Sequence, residues 1–313
     1  MRPILVTLCT NRKRSPAARQ LRARTLRRAG QKALLEQWVT RVAAADATLP
    51  ASKLYAGRGF SEALRSVDHE AHRLWIVSAG LGLISGTYPV PPYDLTLSPR
   101  SPDAIQDRLA AGEFLSAAWW QGLNQQFPSR TTLSTLVRSH PGDFVVVTLS
   151  STYLPLIIDD LVTLTPSELA TVRLVGNISP QRLPPGLQAA AVTYDERFDG
   201  PGSPLPGTRS DFAQRAARHF ITDVLGDLPD ADSREHQFAV SRILQAIPAP
   251  ARPRNQRLSD EQLEAIITRL WPRTHGHTGR TLRLLRDELR VACEQSRCAA
   301  LVRDVRARLA NSQ

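Results

Sequence analysis

The residues best suited to chemistry lie in two short segments, Ser78–Gly82 and Tyr93–Asp94. An apolar, β-branched run at 74–77 precedes the first segment, which is typical of a buried strand that ends in a tight loop. Two glycines in that loop have no Cβ, so the backbone there can approach a ligand closely. An aromatic ring beside a carboxylate, on a loop stiffened by prolines, suits a flat polar ligand such as a nucleobase. The alternative is an ordinary strand-to-loop turn that buries the tyrosine.

Two carboxylates are candidates for the chemistry of breaking an N-glycosidic bond. That reaction develops positive charge on the sugar, and a nearby carboxylate stabilises the charge or positions a water. Asp94 follows an aromatic residue, and Asp195 follows a predicted strand, where sites form in α/β sheets. Each acid has a structural alternative as a helix cap, a surface ion pair or a solvated loop residue. The sequence leaves the choice between the two acids open.

A flipped base needs a pocket with an aromatic wall, and a basic surface must hold the strand that it leaves. The candidates for base binding are Asn11, Tyr55, Phe60, Ser78, Gly80, Gly82 and Tyr93. The candidates for phosphate binding are Arg12, Lys13, Arg14, Arg197, Arg209, Arg283 and Arg286. The segment Ser150–Tyr153 follows another predicted strand and could line the same pocket.

Positive charge is concentrated at the two ends of the chain, whose formal net charge is +11. Residues 12–41 contain ten Lys or Arg and one acid, and residues 251–313 contain thirteen Arg and seven acids. The stretch 42–250 is mildly acidic. Only three of the 40 cations are lysines, as a GC-rich coding sequence would give, but that bias does not explain the clustering. Basic ends around an acidic centre favour contact with nucleic-acid phosphates.

Composition argues against several classes of protein. Three cysteines do not form a disulfide framework and indicate a reducing cytoplasm. The spacing of Cys293 and Cys298 matches no standard zinc site, so neither a metal nor a cofactor is expected. No apolar run is long enough to predict a membrane span, and the segment 1–9 is too short and strand-like for a signal peptide. The motifs of serine hydrolases, P-loop NTPases and zinc proteases do not occur in the sequence.

Short apolar runs alternate with helical segments along residues 1–247. We expect strands at 4–9, 74–78, 143–149, 171–175 and 189–194. A long helix is expected from Ser15, as its N-cap, to about Ala45, either continuous or broken at Gly30, with Pro16 at its first position. A further helical stretch is expected at 101–139. This alternation predicts an α/β fold, in which flanking helices cover a mixed or parallel sheet and ligands bind at its carboxyl edge.

Residues 258–313 are expected to form a small basic helical subdomain behind a proline-rich linker at 248–257. The segment Ser259–Gln262 is typical of a capped helix start. Helices are expected at 260–271, 280–290 and 292–310. Four arginines on the middle helix resemble those of a helix-turn-helix DNA-binding unit. The alternative is a helical dimerisation cap with solvated arginines, and the oligomeric state stays open.

Four segments in the first part of the chain resemble a family of bacterial proteins distantly related to the YaaA peroxide-stress proteins. In the family's order they are Leu5–Lys13, Lys53–Phe60, Trp75–Ile84 and Tyr93–Leu97. Related segments occur in the tRNA-guanine transglycosylase and archaeosine-synthase group. In overall plan the chain is similar to a phage-defence DNA glycosylase that removes glucosylated hydroxymethylcytosine. The resemblance implies a glycosylase-like α/β fold and work on a base or its glycosidic bond.

The leading hypothesis is therefore a cytoplasmic DNA glycosylase that excises a modified base, of the glucosylated hydroxymethylcytosine type, as antiviral defence. Its partner would be double-stranded DNA that carries modified bases, and no membrane would be involved. One alternative is an enzyme that exchanges or modifies a base in tRNA. Another is a non-catalytic DNA-binding protein that uses the basic ends alone. The sequence specifies neither the base nor the choice between DNA and tRNA.

Overall fold

The computed structural model describes residues 3–99, 101–127, 131–250 and 256–310. The chain divides into two compact units, Met1–Pro250 and Ala251–Gln313. Each unit has a hydrophobic core of its own. Among the described helices, none combines the length and the apolar character that crossing a membrane requires.

A six-stranded sheet forms the centre of the first unit. Its strands are β1 (Ile4–Leu8), β2 (Leu74–Ser78), β3 (Gly82–Ser85), β4 (Val145–Thr148), β5 (Val172–Gly176) and β6 (Ala191–Thr193). They lie in the order β3-β2-β1-β4-β5-β6. The β2–β3 pair is antiparallel and every other pair is parallel. The central strands read as continuous Val, Ile and Leu runs because helices cover both faces of a parallel sheet. The predicted α/β class, with a mixed sheet and flanking helices, is confirmed.

The helices of the first unit follow the strands in alternation. Their bounds are Gln31–Ala43, Ala51–Leu54, Arg58–Ser66, Ser116–Gln126, Leu133–Arg138, Leu154–Val162, Pro166–Leu169, Phe212–His219, Leu225–Asp227 and Ser233–Gln245. A π-helical turn at Phe220–Val224 continues the helix that begins at Phe212. The predicted helical stretch at 101–139 is a 3-10 turn at Ile105–Arg108 followed by two separate helices.

The prediction of a helix between Ser15 and Gly30 is wrong, whereas the part after the alternative break at Gly30 is helical. Two 3-10 turns, Arg19–Leu21 and Ala23–Thr25, come first, and the helix begins only at Gln31. The backbone of Asp94 takes the place of the missing helical bonds, since its N–H donates to Leu21 at 2.8 Å and its carbonyl accepts from Ala23 at 2.7 Å. A long-range contact therefore fixes a segment whose local sequence favoured a helix.

The second unit contains three α-helices, Asp260–Thr274, Thr278–Arg283 and Gln295–Ala310, in its described part. Ser259 and Gln262 form a capping box at the start of the first helix, as predicted. A short turn joins the first two helices, with left-handed backbone at His275 (φ 49°) and Gly276 (φ 68°). A π-helical turn at Leu284–Glu288 continues the middle helix. The predicted linker lies largely outside the described residues.

Candidate functional site

The chain reverses the direction in which it adds strands between β1 and β4. The strand after β1 is added on one side of it, and β4 is added on the other. In open α/β sheets this reversal leaves a crevice outside the carboxyl ends of the two strands, and ligands bind there. The segments that leave these ends are Cys9–Arg14 after β1 and Leu149–Tyr153 after β4. The end of β2 lies beside them, since β2 pairs with β1 in parallel.

A chain of three buried hydroxyls lies at the end of β2. Tyr93 Oη is 2.6 Å from Ser78 Oγ and 2.8 Å from Tyr55 Oη. The backbone N–H groups of Gly80 and Leu81 both donate to Ser78 Oγ. Since these bonds occupy its two lone pairs, Ser78 donates to Tyr93, and Tyr93 donates to Tyr55. Burial raises the pKa of both tyrosines, so their hydroxyls stay protonated.

The two glycines of the β2–β3 loop serve internal packing rather than the approach of a ligand. A Cβ on Gly80 would lie 2.7 Å from the Tyr93 ring and 3.1 Å from the Trp38 ring. Gly82 has a φ of +77°, and a Cβ there would collide with the Asn124 side chain. The Trp38 indole also donates to the Gly80 carbonyl at 2.6 Å. The interpretation of these glycines as ligand contacts is therefore wrong for this conformation.

The aromatic candidates for base binding come together, but as part of the core. Tyr55 and Tyr93 have no exposed surface, and Phe60 is 2% exposed. Phe60 packs against Tyr55 with ring centroids 5.5 Å apart. No face of these rings is open for a base to stack on, which corrects their predicted role as an aromatic wall. Asn11, by contrast, is exposed in the segment that follows β1.

Lys13 lies over the tyrosines instead of extending into solvent. Its Nζ is 4.5 Å from the centroid of the Tyr93 ring and 5.8 Å from that of Tyr55. It donates one hydrogen bond, to the Thr10 carbonyl at 3.2 Å. Burial lowers the pKa of the Lys13 amine, and the charges of Cys9, Asp94 and Asp103 oppose this only in part. Lys13 thus differs from its predicted role as an exposed phosphate contact.

The loop after β4 reaches the same place through Tyr153. Its hydroxyl lies 3.5 Å from Cys9 Sγ and 3.4 Å from Thr96 Oγ1. Burial, together with the neighbouring Cys9, raises the pKa of Tyr153. The segments that leave β1, β2 and β4 therefore meet in one polar cluster, which we call the Lys13 cluster. It comprises Cys9, Lys13, Tyr55, Ser78, Tyr93, Thr96 and Tyr153.

Asp94 is the accessible carboxylate beside the Lys13 cluster. Its side chain is 31% exposed, and its partner is Arg22, whose Nε is 3.6 Å from Asp94 Oδ2. That separation is too long for a hydrogen bond. Asp103, the other acid whose charge acts on Lys13, is buried and accepts two hydrogen bonds from Arg24 Nε. Of these two acids, only Asp94 has a largely free carboxylate.

Asp195 lies elsewhere on the sheet and is fully engaged. It follows β6, which is three strand spacings, or roughly 14 Å, from β1. It accepts hydrogen bonds from both the side chain and the backbone of Arg197, at 2.6–3.0 Å. The Arg197 hydrogen bond holds the pKa of Asp195 below its usual range. The structure therefore places Asp195 and Arg197 in an ion pair that caps a 3-10 turn, away from the Lys13 cluster.

The other predicted phosphate contacts are dispersed. Arg12 and Arg14 are exposed on the segment that contains Lys13, and Arg209 is exposed on the loop that precedes the helix Phe212–His219. Arg283 and Arg286 belong to the second unit, where Arg286 donates two hydrogen bonds to the Cys293 carbonyl. In the described residues, no group of three or more His, Cys, Asp or Glu side chains is arranged to hold a metal.

A cavity of 770 Å³ opens at the carboxyl ends of β4 and β5. Of the residues that line it, only those of the segment Ser150–Tyr153 were singled out from the sequence as part of a pocket. Its polar lining consists of Ser151, Asp159, Asn177, Ser179 and Arg182. Leu149, Leu154, Ile158, Ile178 and Leu183 supply apolar walls. The segment after β4 contributes to both places, since Tyr153 belongs to the Lys13 cluster while Ser151 lines the cavity. Asn177 and Ser179 were missed by the sequence analysis, although their position directly after an apolar strand could have indicated this cavity.

No protein-family model, curated protein or solved structure matches the chain. The resemblance to bacterial proteins related to YaaA therefore stays a prediction.

Proposed function

We propose that this chain is a DNA glycosylase that hydrolyses the N-glycosidic bond of a modified base in double-stranded DNA. The proposed base is of the glucosylated hydroxymethylcytosine type, and the proposed role is cytoplasmic defence against phage. The observation that carries the proposal is the accessible carboxylate of Asp94 beside the Lys13 cluster, at the reversal point of the sheet.

Asp94 has the properties that the reaction requires. Its backbone is fixed by hydrogen bonds to Leu21 and Ala23, while a third of its side chain stays exposed. A carboxylate held in this way stabilises the positive charge that develops on the sugar, without having to reorganise during the reaction. Because Arg22 is too far from Asp94 to form a hydrogen bond, the carboxylate oxygens are open to a sugar or a water.

The 770 Å³ cavity is the proposed pocket for the extruded base. Ligand pockets typically measure about 300–1,000 Å³ and combine apolar walls with a few polar groups. Asp159 and Asn177 would accept and donate hydrogen bonds to the edge of a base, and Ser151 and Ser179 would bind a sugar substituent. Residues 12–41, which we call the basic segment, would hold the phosphates through exposed arginines such as Arg12 and Arg14.

The test is incubation of the protein with two matched duplexes, one with glucosylated hydroxymethylcytosine and one with unmodified cytosine. We expect release of the free modified base, detected by mass spectrometry, and alkali-labile sites in the modified strand only. Asp94→Asn keeps the shape and removes the charge, so turnover should fall by about a hundredfold or more while duplex binding survives.

Asp107→Asn is the matched control, since Asp107 is exposed on a nearby 3-10 turn. Its turnover should equal that of the unsubstituted protein. Binding of both duplexes without free base or alkali-labile sites would refute the proposal and favour a non-catalytic DNA-binding protein. Incorporation of a labelled base into tRNA would instead favour the base-exchange alternative.

A further inference from the structure

The amine of Lys13 is in an unusual setting for a cation. Its Nζ lies over the Tyr93 ring, and one backbone carbonyl, that of Thr10, accepts a hydrogen bond from it. No carboxylate of the described residues forms an ion pair with it. A lysine that only places charge on a surface would extend its strongly hydrated ammonium into water. The geometry therefore calls for another role.

We propose that Lys13 is a nucleophile that forms an imine with an aldehyde. The proposal rests on the proposed function only for the identity of the aldehyde, which is the ring-opened deoxyribose left after base loss. Lysine amines act on carbonyl groups in this way when an apolar site reduces their charge. The lowered pKa of Lys13, caused by burial, increases the uncharged fraction of the amine at neutral pH.

The reaction balances with the groups that are present. The nitrogen lone pair attacks C1′ of the aldehyde, and one proton moves from nitrogen to oxygen to give a carbinolamine. The C–O bond then breaks, the second nitrogen proton leaves with that oxygen, and water departs as the C=N bond forms. No oxidant or reductant is consumed.

We assign the hydroxyl chain beside Lys13 the relay of that last proton: Tyr55 would donate to the departing oxygen and take back the proton that the nitrogen loses. Tyr55 accepts from Tyr93, so its own proton is not used in that bond. Because burial keeps Tyr55 protonated, it retains this proton at neutral pH. The order of donors, from Ser78 through Tyr93, therefore ends at the hydroxyl of Tyr55, whose ring centroid is 5.8 Å from Lys13 Nζ.

The experiment uses the full chain and a duplex with one pre-formed abasic site, so that base excision is not needed. Sodium borohydride reduces an imine to a stable amine, and the covalent protein–DNA species is counted on a denaturing gel. The chain has only three lysines, Lys13, Lys32 and Lys53, which makes the attachment site easy to map by peptide mass spectrometry. We expect attachment at Lys13.

Lys13→Arg is the decisive variant, because arginine keeps a cation beside the tyrosines but forms no such imine. Trapping should fall at least about tenfold in this variant, while duplex binding and the melting temperature are preserved. Lys13→Met should lose trapping equally. Lys32→Arg and Lys53→Arg are the matched controls, since both lysines are exposed on helices, and should trap as the unsubstituted protein does.

Three results would overturn the proposal: no trapping by the unsubstituted protein, undiminished trapping by Lys13→Arg, or attachment at the other lysines or the α-amino group. The result is separable from that for the proposed function. Trapping at Lys13 without release of any modified base would support Lys13 as a nucleophile and refute the proposed glycosylase activity. Base release without trapping would support the glycosylase activity and refute the role of Lys13 as a nucleophile.

Discussion

Two buried aromatic clusters lie at different strands of the same sheet, and each holds one cation in a different state. In the cluster after β6, Arg215 packs near Phe198 and donates to Asp199 and Asp211 at 2.6 Å and to the Leu205 carbonyl at 2.7 Å. In the Lys13 cluster the cation has one carbonyl acceptor. Arg215, whose buried charge is fully paired, stabilises the fold, whereas Lys13, which has no carboxylate partner among the described residues, is available to a ligand.

The largest effect is expected from removing the paired cation. Arg215→Ala should lower the free energy of unfolding by about 3–5 kcal/mol, because it removes a buried guanidinium that pairs with both Asp199 and Asp211 and leaves the buried Asp211 with Arg58 as its cationic partner. Lys13→Met should change it by less than about 1 kcal/mol, since it removes one hydrogen bond and no ion pair. Urea denaturation measures both values.

Arg209→Ala is the control from the loop that precedes the helix of Arg215, because Arg209 is exposed, and it should be nearly neutral. Equal losses for Arg215→Ala and Lys13→Met would show that the two cations have the same structural role. The comparison between the clusters would then fail.

Removing one hydroxyl from each cluster gives a second, smaller test. Tyr93→Phe breaks the bonds to Ser78 and Tyr55, and Tyr194→Phe breaks the 2.7 Å bond to His219 Nδ1. Each should cost about 1–3 kcal/mol, the usual penalty for leaving a buried polar group without its partner. Only Tyr93→Phe should slow borohydride trapping at Lys13. Equal trapping by both variants would remove the hydroxyl chain from the proposed reaction.

The strands, the cap of the second unit and the α/β class were predictable because they depend on local patterns. β1, β2, β4 and β5 are apolar runs bounded by polar residues, and Ser259–Gln262 satisfies its own helix start. The order of the strands was not predicted, since apolar periodicity carries no information on which strands pair.

The candidate site was predictable in part. The loops that contain Ser78 and Tyr93 do meet, as proximity to strand ends suggested. The half-buried position of Lys13 was missed, because it depends on tyrosines that are distant in sequence and on the backbone bridge between Lys13 and Tyr55. Gly80 was misinterpreted for the same reason: its missing Cβ makes room for the Tyr93 ring, and only the packed structure shows this.

Buried histidines should make the stability of the first unit depend on pH. Burial lowers the pKa of His219 and of His236, and Arg173 lowers that of His236 further. Both rings are therefore neutral in the fold, while the unfolded chain takes up protons below about pH 6.5. Because the unfolded state then binds more protons, the free energy of unfolding should be highest above that pH and fall as the pH drops.

His219→Gln should reduce this slope between pH 7 and pH 5, in denaturation curves recorded at several pH values. His72→Gln, at an exposed residue, should leave the slope unchanged. A slope that is identical in all three proteins would mean that His219 takes up a proton in the fold as readily as in the unfolded chain. Tyr194 would then lose its acceptor, contrary to the pairing that distinguishes its cluster from the Lys13 cluster.

The smallest expected effect is on the salt dependence of DNA binding by the basic segment. Some arginine side chains of this segment have protein partners and others have none among the described residues. Arg24 is held by Asp103, and Arg22 donates to the Ala17 carbonyl, whereas Arg27 and Arg28 are exposed without an ion pair to the described residues. Each phosphate contact adds about 0.9 to the slope of log affinity against log salt. Arg27→Ala with Arg28→Ala should therefore flatten that slope by up to about 2, with stability unchanged.

The control is Arg234→Ala with Arg242→Ala, which removes the same charge from an exposed helix outside the basic segment. Its salt slope, measured by fluorescence anisotropy with a labelled duplex, should equal that of the unsubstituted protein. Equal flattening by both pairs would mean that net charge alone sets the affinity, with no defined interface. A slope altered only by Arg27→Ala with Arg28→Ala would place the DNA on the basic segment. That segment also contains Lys13, and its Arg22 lies against Asp94, so the DNA would then be bound beside the proposed catalytic carboxylate.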